Sequence, residues 1–200
     1  MIELLAITDD PAPAAPPLRV VPAAGLGVVV EPAGEGELDA DALWRRESLL
    51  EELMRERALL PVRLGTRVED DAAAVEAVAP RRDELAAALD RVRGAVEVSV
   101  RAVPAPGPAG PAAAGDAAAG PAPAALPGAV EAVHARLSEL ARDHARHEGP
   151  ELLRAAYLVD RTAVDAFVAA VRELQREQPG LSLLCTGPWP PYSFAEEPAP

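Results

Sequence analysis

The 200-residue chain is half apolar, but much of that half is alanine, which buries little area per residue, so its cores are expected to be modest. Its net charge of −13, with no lysine, argues against nonspecific nucleic-acid or anionic-membrane binding, because both need clustered positive charge. A single cysteine excludes an internal disulfide and fits a reducing compartment. No segment approaches the ~18 consecutive apolar residues of a membrane span. The start, Met1-Ile-Glu-Leu-Leu, has neither the basic region nor the apolar run of a signal peptide, so a cytoplasmic protein is expected.

In chain order, Ile2–Ile7 reads as a first strand, leucine-rich and β-branched. Leu18–Val21 and Leu26–Glu31 read as adjacent strands, because Pro22-Ala-Ala-Gly25 between them has a turn composition. Asp39 or Asp41 is placed to cap a helix over Ala42–Ala58, with Leu43, Leu50, Leu53 and Met54 on its apolar stripe and Arg45, Arg46 and Glu51 mostly elsewhere. Trp44 lies beside that stripe and is expected to be a partly buried anchor.

Leu59–Thr66 changes the period from helical to extended. Pro61 lacks a ladder donor there, which makes an edge strand the simplest reading. Arg63 should leave the apolar face, and Gly65 permits a turn; Gly65-Thr66 could bind an anion, but no glycine-rich phosphate loop occurs in the chain. Asp70–Ala79 and Arg82–Arg93 read as helices divided by Pro80, the second stopped by Gly94. Val96, Val98 and Val100 then alternate with Glu97, Ser99 and Arg101, the pattern of a strand with one apolar face and one face that is wet or covered by a polar partner.

Pro104–Pro127 is a Pro/Ala/Gly-rich stretch whose only charge is Asp116, expected to be a disordered linker or an exposed insertion. Gly128–His147 reads as one helix with Val130, Val133, Leu137 and Leu140 inward and His144 and His147 continuing the stripe. Leu152–Asp160 (strand), Arg161–Gln178 (helix) and Leu181–Cys185 (strand) form a βαβ unit with parallel strands. The fold class expected is α+β: two small domains, 1–103 and 128–194, joined by the linker 104–127 and followed by a flexible tail at 195–200.

No catalytic, cofactor or metal constellation emerges. Cys185 sits in an apolar strand where burial raises a thiol pKa, so it reads as core and not as a nucleophile. His144 and His147 stand three residues apart beside Asp143 and Glu148, yet a third strong ligand is lacking. The enzyme alternative would have to rest on Cys185 or on this histidine pair. More informative is Thr186–Phe194, Thr-Gly-Pro-Trp-Pro-Pro-Tyr-Ser-Phe, a proline-stiffened ribbon that carries three of the six aromatic residues. It either docks onto another protein or closes the protein's own core. As the end of the βαβ unit it should extend the last strand into the second domain, with Trp189 or Tyr192 largely buried.

Four blocks in order, Leu59–Thr66, Gly94–Val100, Ala155–Val159 with Phe167, and Thr186–Phe194, make the chain resemble the GvpL/GvpF family of gas vesicle proteins. It departs from the family pattern at Leu64, where phenylalanine is usual. The resemblance implies two α+β domains, the second ferredoxin-like. It also implies an accessory or minor structural role in gas vesicle assembly, with the hydrophobic shell protein GvpA and other gas vesicle proteins as partners, and no enzymatic activity or cofactor. An integral minor component of the vesicle wall is the alternative. The contact residues expected are Pro61, Arg63, Gly65 and Thr66, if that strand is an open edge, and Trp189, Pro190, Tyr192 and Phe194, if the ribbon is exposed.

Overall fold

The computed structural model describes residues 1–14, 16, 18–34, 39–106 and 126–195; the interior of the expected linker and the tail beyond 195 lie outside these residues. The described chain falls into two compact units, residues 1–95 with 189–200 and residues 96–188.

The first unit is built on β1 (Ile2–Thr8), flanked by β2 (Arg19–Ala23) and β3 (Leu26–Pro32) on one side and by β4 (Leu59–Pro61) and β5 (Arg67–Val68) on the other. The sheet order is β2-β3-β1-β4, with β5 also pairing β1, and each of these pairings is antiparallel. The β2–β3 hairpin turns at Ala24 and Gly25, both at positive φ of 51° and 87°. Two successive left-handed residues match the twist of a hairpin, and glycine takes the second without strain. A register shift between Leu4 and Ala6 leaves Leu5 as an extra residue in β1, and Leu4, Leu5, Ala6 and Ile7 are all buried. The bulge therefore breaks the in–out alternation that a regular strand would show.

Three helices complete this unit: α1 (Ala40–Glu56), α2 (Asp71–Val78) and α3 (Arg82–Val92). Asp39 caps α1 by accepting from the Ala42 amide at 2.8 Å, and Asp70 caps α2 through the Ala73 amide at 3.0 Å. Pro80 separates α2 from α3 within a single 3-10 turn, as its missing amide requires. Helix α1 buries Leu50, Leu53 and Met54 as expected, but it also buries Arg46, and it leaves Leu43 exposed. Arg46 is inside because both terminal nitrogens of its guanidinium find acceptors. It donates to Glu3 Oε1 at 3.1 Å, to the Leu5 carbonyl at 3.3 Å and to the Val62 carbonyl at 2.7 Å. Glu3 in turn accepts from the Gly65 amide at 3.2 Å and pairs with Arg67 at 3.6 Å. One arginine thus joins α1 to β1 and to the chain leaving β4.

The second unit runs β6 (Ala95–Pro104, of which Ala95 belongs to the first unit), α4 (Leu126–Ser138), β7 (Asp143–Arg146), β8 (Leu153–Asp160), α5 (Val164–Glu177) and β9 (Leu181–Trp189, up to Pro188). Its antiparallel sheet has the order β7-β8-β6-β9, the split βαβ plan of a ferredoxin-like domain. Strands β8 and β9 run in the same direction, as a βαβ crossover demands, but β6 lies between them. The strand read in the first domain is therefore the centre of the second sheet, and the chain divides near 95 and 188, not at 103 and 128. Linker residues 104 and 126–127 are also structured, as the end of β6 and the start of α4.

The core of this unit packs Val98, Val100, Val130, Val133, Tyr157 and Phe167 together, with the Tyr157 and Phe167 rings 5.3 Å apart. Helix α4 ends nine residues before the expected His147. The Ser138 hydroxyl takes the His134 carbonyl at 2.8 Å, and the Arg142 amide turns to the Leu158 carbonyl at 2.8 Å, which starts the β7–β8 ladder. Asp143 and His144 accordingly pair with Leu158 and Tyr157 as strand residues. Glu97 is buried, so the second face of β6 is not wet at that position, although Arg101 on the same face is exposed.

Two outcomes test this architecture. Replacing Arg46 by alanine takes the buried partner from Glu3 and a donor from the Leu5 and Val62 carbonyls, and should lower stability by about 3 kcal/mol. Urea unfolding followed by tryptophan fluorescence measures this, since Trp44 and Trp189 both belong to the first unit. In the second unit, burial, aided by the positive Arg146, holds the His134 imidazole below its ordinary pKa, and its Nδ1 lies 2.8 Å from the Tyr157 hydroxyl. The unfolded chain then takes up the proton first. Stability should fall as pH drops below about 6.5, and His134→Gln should remove that component from the difference between urea midpoints at pH 7.5 and pH 5.

Candidate partner-binding surface

The expected contact residues divide sharply by burial. Strand β4 ends its sheet, the edge position Pro61 suggested, but Leu59, Leu60 and Pro61 are buried and the 3-10 turn Tyr192–Phe194 packs against the strand. The loop after it stands out: Arg63, Leu64 and Gly65 are exposed and Thr66 is half-buried. Gly65, at φ 81°, and Thr66 close a tight turn in which the Thr66 hydroxyl donates to the Arg63 carbonyl at 2.7 Å. The Gly65 amide is taken by Glu3, which removes the donor an anion would need.

The proline ribbon behaves differently from its expectation too. Residues 189–195 group with the first unit, so the ribbon does not run on into the core of the second. Pro190, Pro191 and Phe194 are buried, Trp189 is half-buried, and Tyr192 is 41% exposed. Phe194 has taken the anchoring place expected of Trp189 or Tyr192, and the Arg91 guanidinium holds its carbonyl at 2.9 Å. Of the expected contact residues, Pro61, Pro190 and Phe194 are therefore buried, while Arg63, Gly65 and Tyr192 are exposed.

Tyr192 is tied to α1. Its hydroxyl donates to Glu47 Oε2 at 2.8 Å, while Glu47 Oε1 is buried without a hydrogen-bond partner among the described residues. Burial raises the Glu47 pKa, with the Tyr192 hydrogen bond and Arg46 opposing and Glu51 reinforcing the shift. Burial and the Glu47 carboxylate push the Tyr192 phenol well above its usual range. One turn from Glu47, on the side of α1 away from Leu50 and Leu53, Trp44 is 66% exposed, and Leu43 beside it is exposed as well. The anchoring role expected for Trp44 is overturned: its place beside the stripe proves far enough round the helix from Leu50 and Leu53 to leave the indole in solvent.

A cleft of about 300 Å³ opens on another side of α1, lined by Glu3, Glu31, Asp39, Arg45, Arg46 and Arg67 among others. Three of its charges are already engaged, Arg46 and Arg67 each pairing with Glu3. The catalytic alternatives find no geometric support. Cys185 is half-buried and its thiol pKa is raised by burial, against the opposing charge of Arg172. His144 lies on β7 with its ring 4.8 Å from that of His134, and His147 follows the strand. An i,i+3 spacing converges on a helix but sends side chains to opposite faces of a strand. Among the described residues no group of three or more His, Cys, Asp or Glu is placed to hold a metal, and no helix is long and apolar enough to cross a membrane.

A raised carboxyl pKa makes the folded state the better proton acceptor. The stabilisation from Glu47 is present below the ordinary carboxylate range and is lost as pH rises through the folded-state value. Glu47→Gln keeps an acceptor for Tyr192 and cannot ionise. Relative to the parent it should gain stability as pH rises from 4 to 7, which urea midpoints across that range measure.

The family described as "Gas vesicle synthesis protein GvpL/GvpF" matches residues 8–114 and 112–196. Gas vesicle protein L of Streptomyces sp. (strain CB03234) is 31% identical over 186 residues, covering 78% of this chain and 69% of that protein. Gas vesicle protein F2 of Halobacterium salinarum is 28% identical over 144 residues, covering 70% of this chain and 60% of its own length. Among solved structures, the gas vesicle protein GvpF from Microcystis aeruginosa superposes with a TM-score of 0.77 at 16% identity, and that from Anabaena sp. PCC7120 with 0.76 at 18%, each covering 98% of both chains. These superpositions establish the fold, and the sequence matches on both sides of residue 112 establish the lineage. The chain belongs to the GvpL/GvpF family of gas vesicle proteins.

Proposed function

We propose that this protein is a chaperone-like assembly factor that binds the hydrophobic shell protein GvpA and other gas vesicle proteins in the cytoplasm and performs no catalysis. The observation that carries this reading is the exposure of Trp44. A chain with only two each of Trp, Tyr and Phe leaves one of its largest side chains in water, on the same helix as Glu47, the residue that holds Tyr192. Exposed aromatics on a rigid helix are good anchors for a partner, because little side-chain freedom is lost on docking. Leu43, Trp44 and Tyr192, with Arg63, Leu64 and Gly65 on the turn after β4, are the residues assigned to contact. Pro61, Thr66, Trp189, Pro190 and Phe194 hold that surface in place. The net charge of −13 suits a soluble carrier of an apolar client, since it keeps the carrier from self-associating.

Immobilised full-length protein should retain GvpA from solution. Trp44→Ala should weaken that retention by about tenfold or more, the size typical of a central aromatic anchor, while Arg161→Ala in the second unit should leave it unchanged. Failure of the intact parent protein to retain GvpA would sink the proposal. Recovery of the protein in stoichiometric amounts from washed, intact vesicles would instead make it an integral component of the wall.

A further inference from the structure

Strand β9 ends its sheet, so among the described residues no strand of this unit pairs with its outer edge. Nine residues, Leu181–Trp189, contain no charge, although the rest of the chain is strongly acidic, and Leu184 is 56% exposed. Long uncharged edges are normally blunted by lysine, by an early proline or by a covering element, because the row of free amides and carbonyls recruits other strands. In β9 the first proline comes at position 188.

The start of this edge is covered by the Gln178 carbonyl, which accepts from the Leu181 amide at 3.0 Å, and by one side chain. Backbone groups alternate along a strand, and the Gly180 carbonyl faces β6, where it accepts from the Ala105 amide at 2.9 Å. The groups of residues 181, 183 and 185 therefore point outward. Gln175 of α5 reaches them: its Nε2 donates to the Leu181 carbonyl at 2.7 Å, and its Oε1 accepts from the Leu183 amide at 2.7 Å. One carboxamide thus offers the same donor and acceptor, to the same two residues, that a single residue of a parallel neighbouring strand would offer.

We infer that the outer edge of β9 is a strand-addition site, and that Gln175 is a side-chain stand-in for the first rung of an incoming strand. The occupant is an extended, uncharged segment of another protein. Backbone pairing supplies the affinity and the Cys185 rung beyond Gln175 continues the ladder. A second copy of this chain fits less well, because each copy carries −13 and two such chains repel. This site lies in the second unit and does not depend on the Trp44 surface of the first.

The test uses full-length protein and a capped synthetic peptide of alternating threonine and valine, beside the same peptide N-methylated at every second residue, which keeps its side chains and loses its pairing. Amide hydrogen exchange at Leu183 and Cys185 should slow about tenfold or more at saturating peptide and stay unchanged with the methylated form. Gln175→Leu, which empties the first rung, should bind the peptide about tenfold tighter, since two existing hydrogen bonds no longer compete. Absence of protection by the unmodified peptide, or equal protection by both, overturns the inference. Dimerisation of Gln175→Leu without peptide, seen by sedimentation, would assign the edge to a second copy and overturn the assignment to a different protein.

Discussion

The first unit depends on one buried ion pair. Arg46 and Glu3 are each only a few per cent exposed, and between them they bind the α1 backbone's position to β1, to the Val62 carbonyl and to the turn at Gly65. Two charges in an interior are tolerable only when their remaining donors and acceptors are met, and here carbonyls and an amide meet them. That requirement fixes the path of the chain from β4 through residue 66. The exposed loop carrying Arg63 and Leu64 has its form because its two ends are held from inside.

Much of this architecture was legible in the sequence. The hairpin at Ala24-Gly25, the cap at Asp39, the break at Pro80 and the helix between β8 and β9 all follow from local chemistry. Local chemistry did not reveal the inward turn of Arg46, because an arginine on a helix reads as solvated until a carboxylate forty-three residues away is brought beside it. It placed β6 in the wrong sheet for the same reason: alternation of valine with polar residues identifies a strand but not its neighbours. The end of α4 was missed because His144 and His147 happen to continue a helical spacing, while the Ser138 hydroxyl and the Leu158 carbonyl draw the backbone away.

The candidate surface shows a similar division. The Pro190-Pro191 segment announced itself by composition, yet its prolines are packed inward and only Tyr192 reaches out. Trp44, beside the apolar stripe at the start of the helix, reads as a partly buried anchor, yet it is exposed. A position at the margin of a stripe is inward or outward according to what packs over it, which helical spacing does not say. Partner surfaces are where such local consistency is expected to fail.

The return of residues 189–195 to the first unit makes that unit discontinuous in sequence. During synthesis the whole of residues 96–188 emerges before Phe194 and the Arg91 contact exist, so the amino-terminal unit is completed last. Cleavage just after Pro188 would spare the unit beside the cut and leave the distant one without its closing turn. The order of synthesis and the order of completion are thus reversed in this chain.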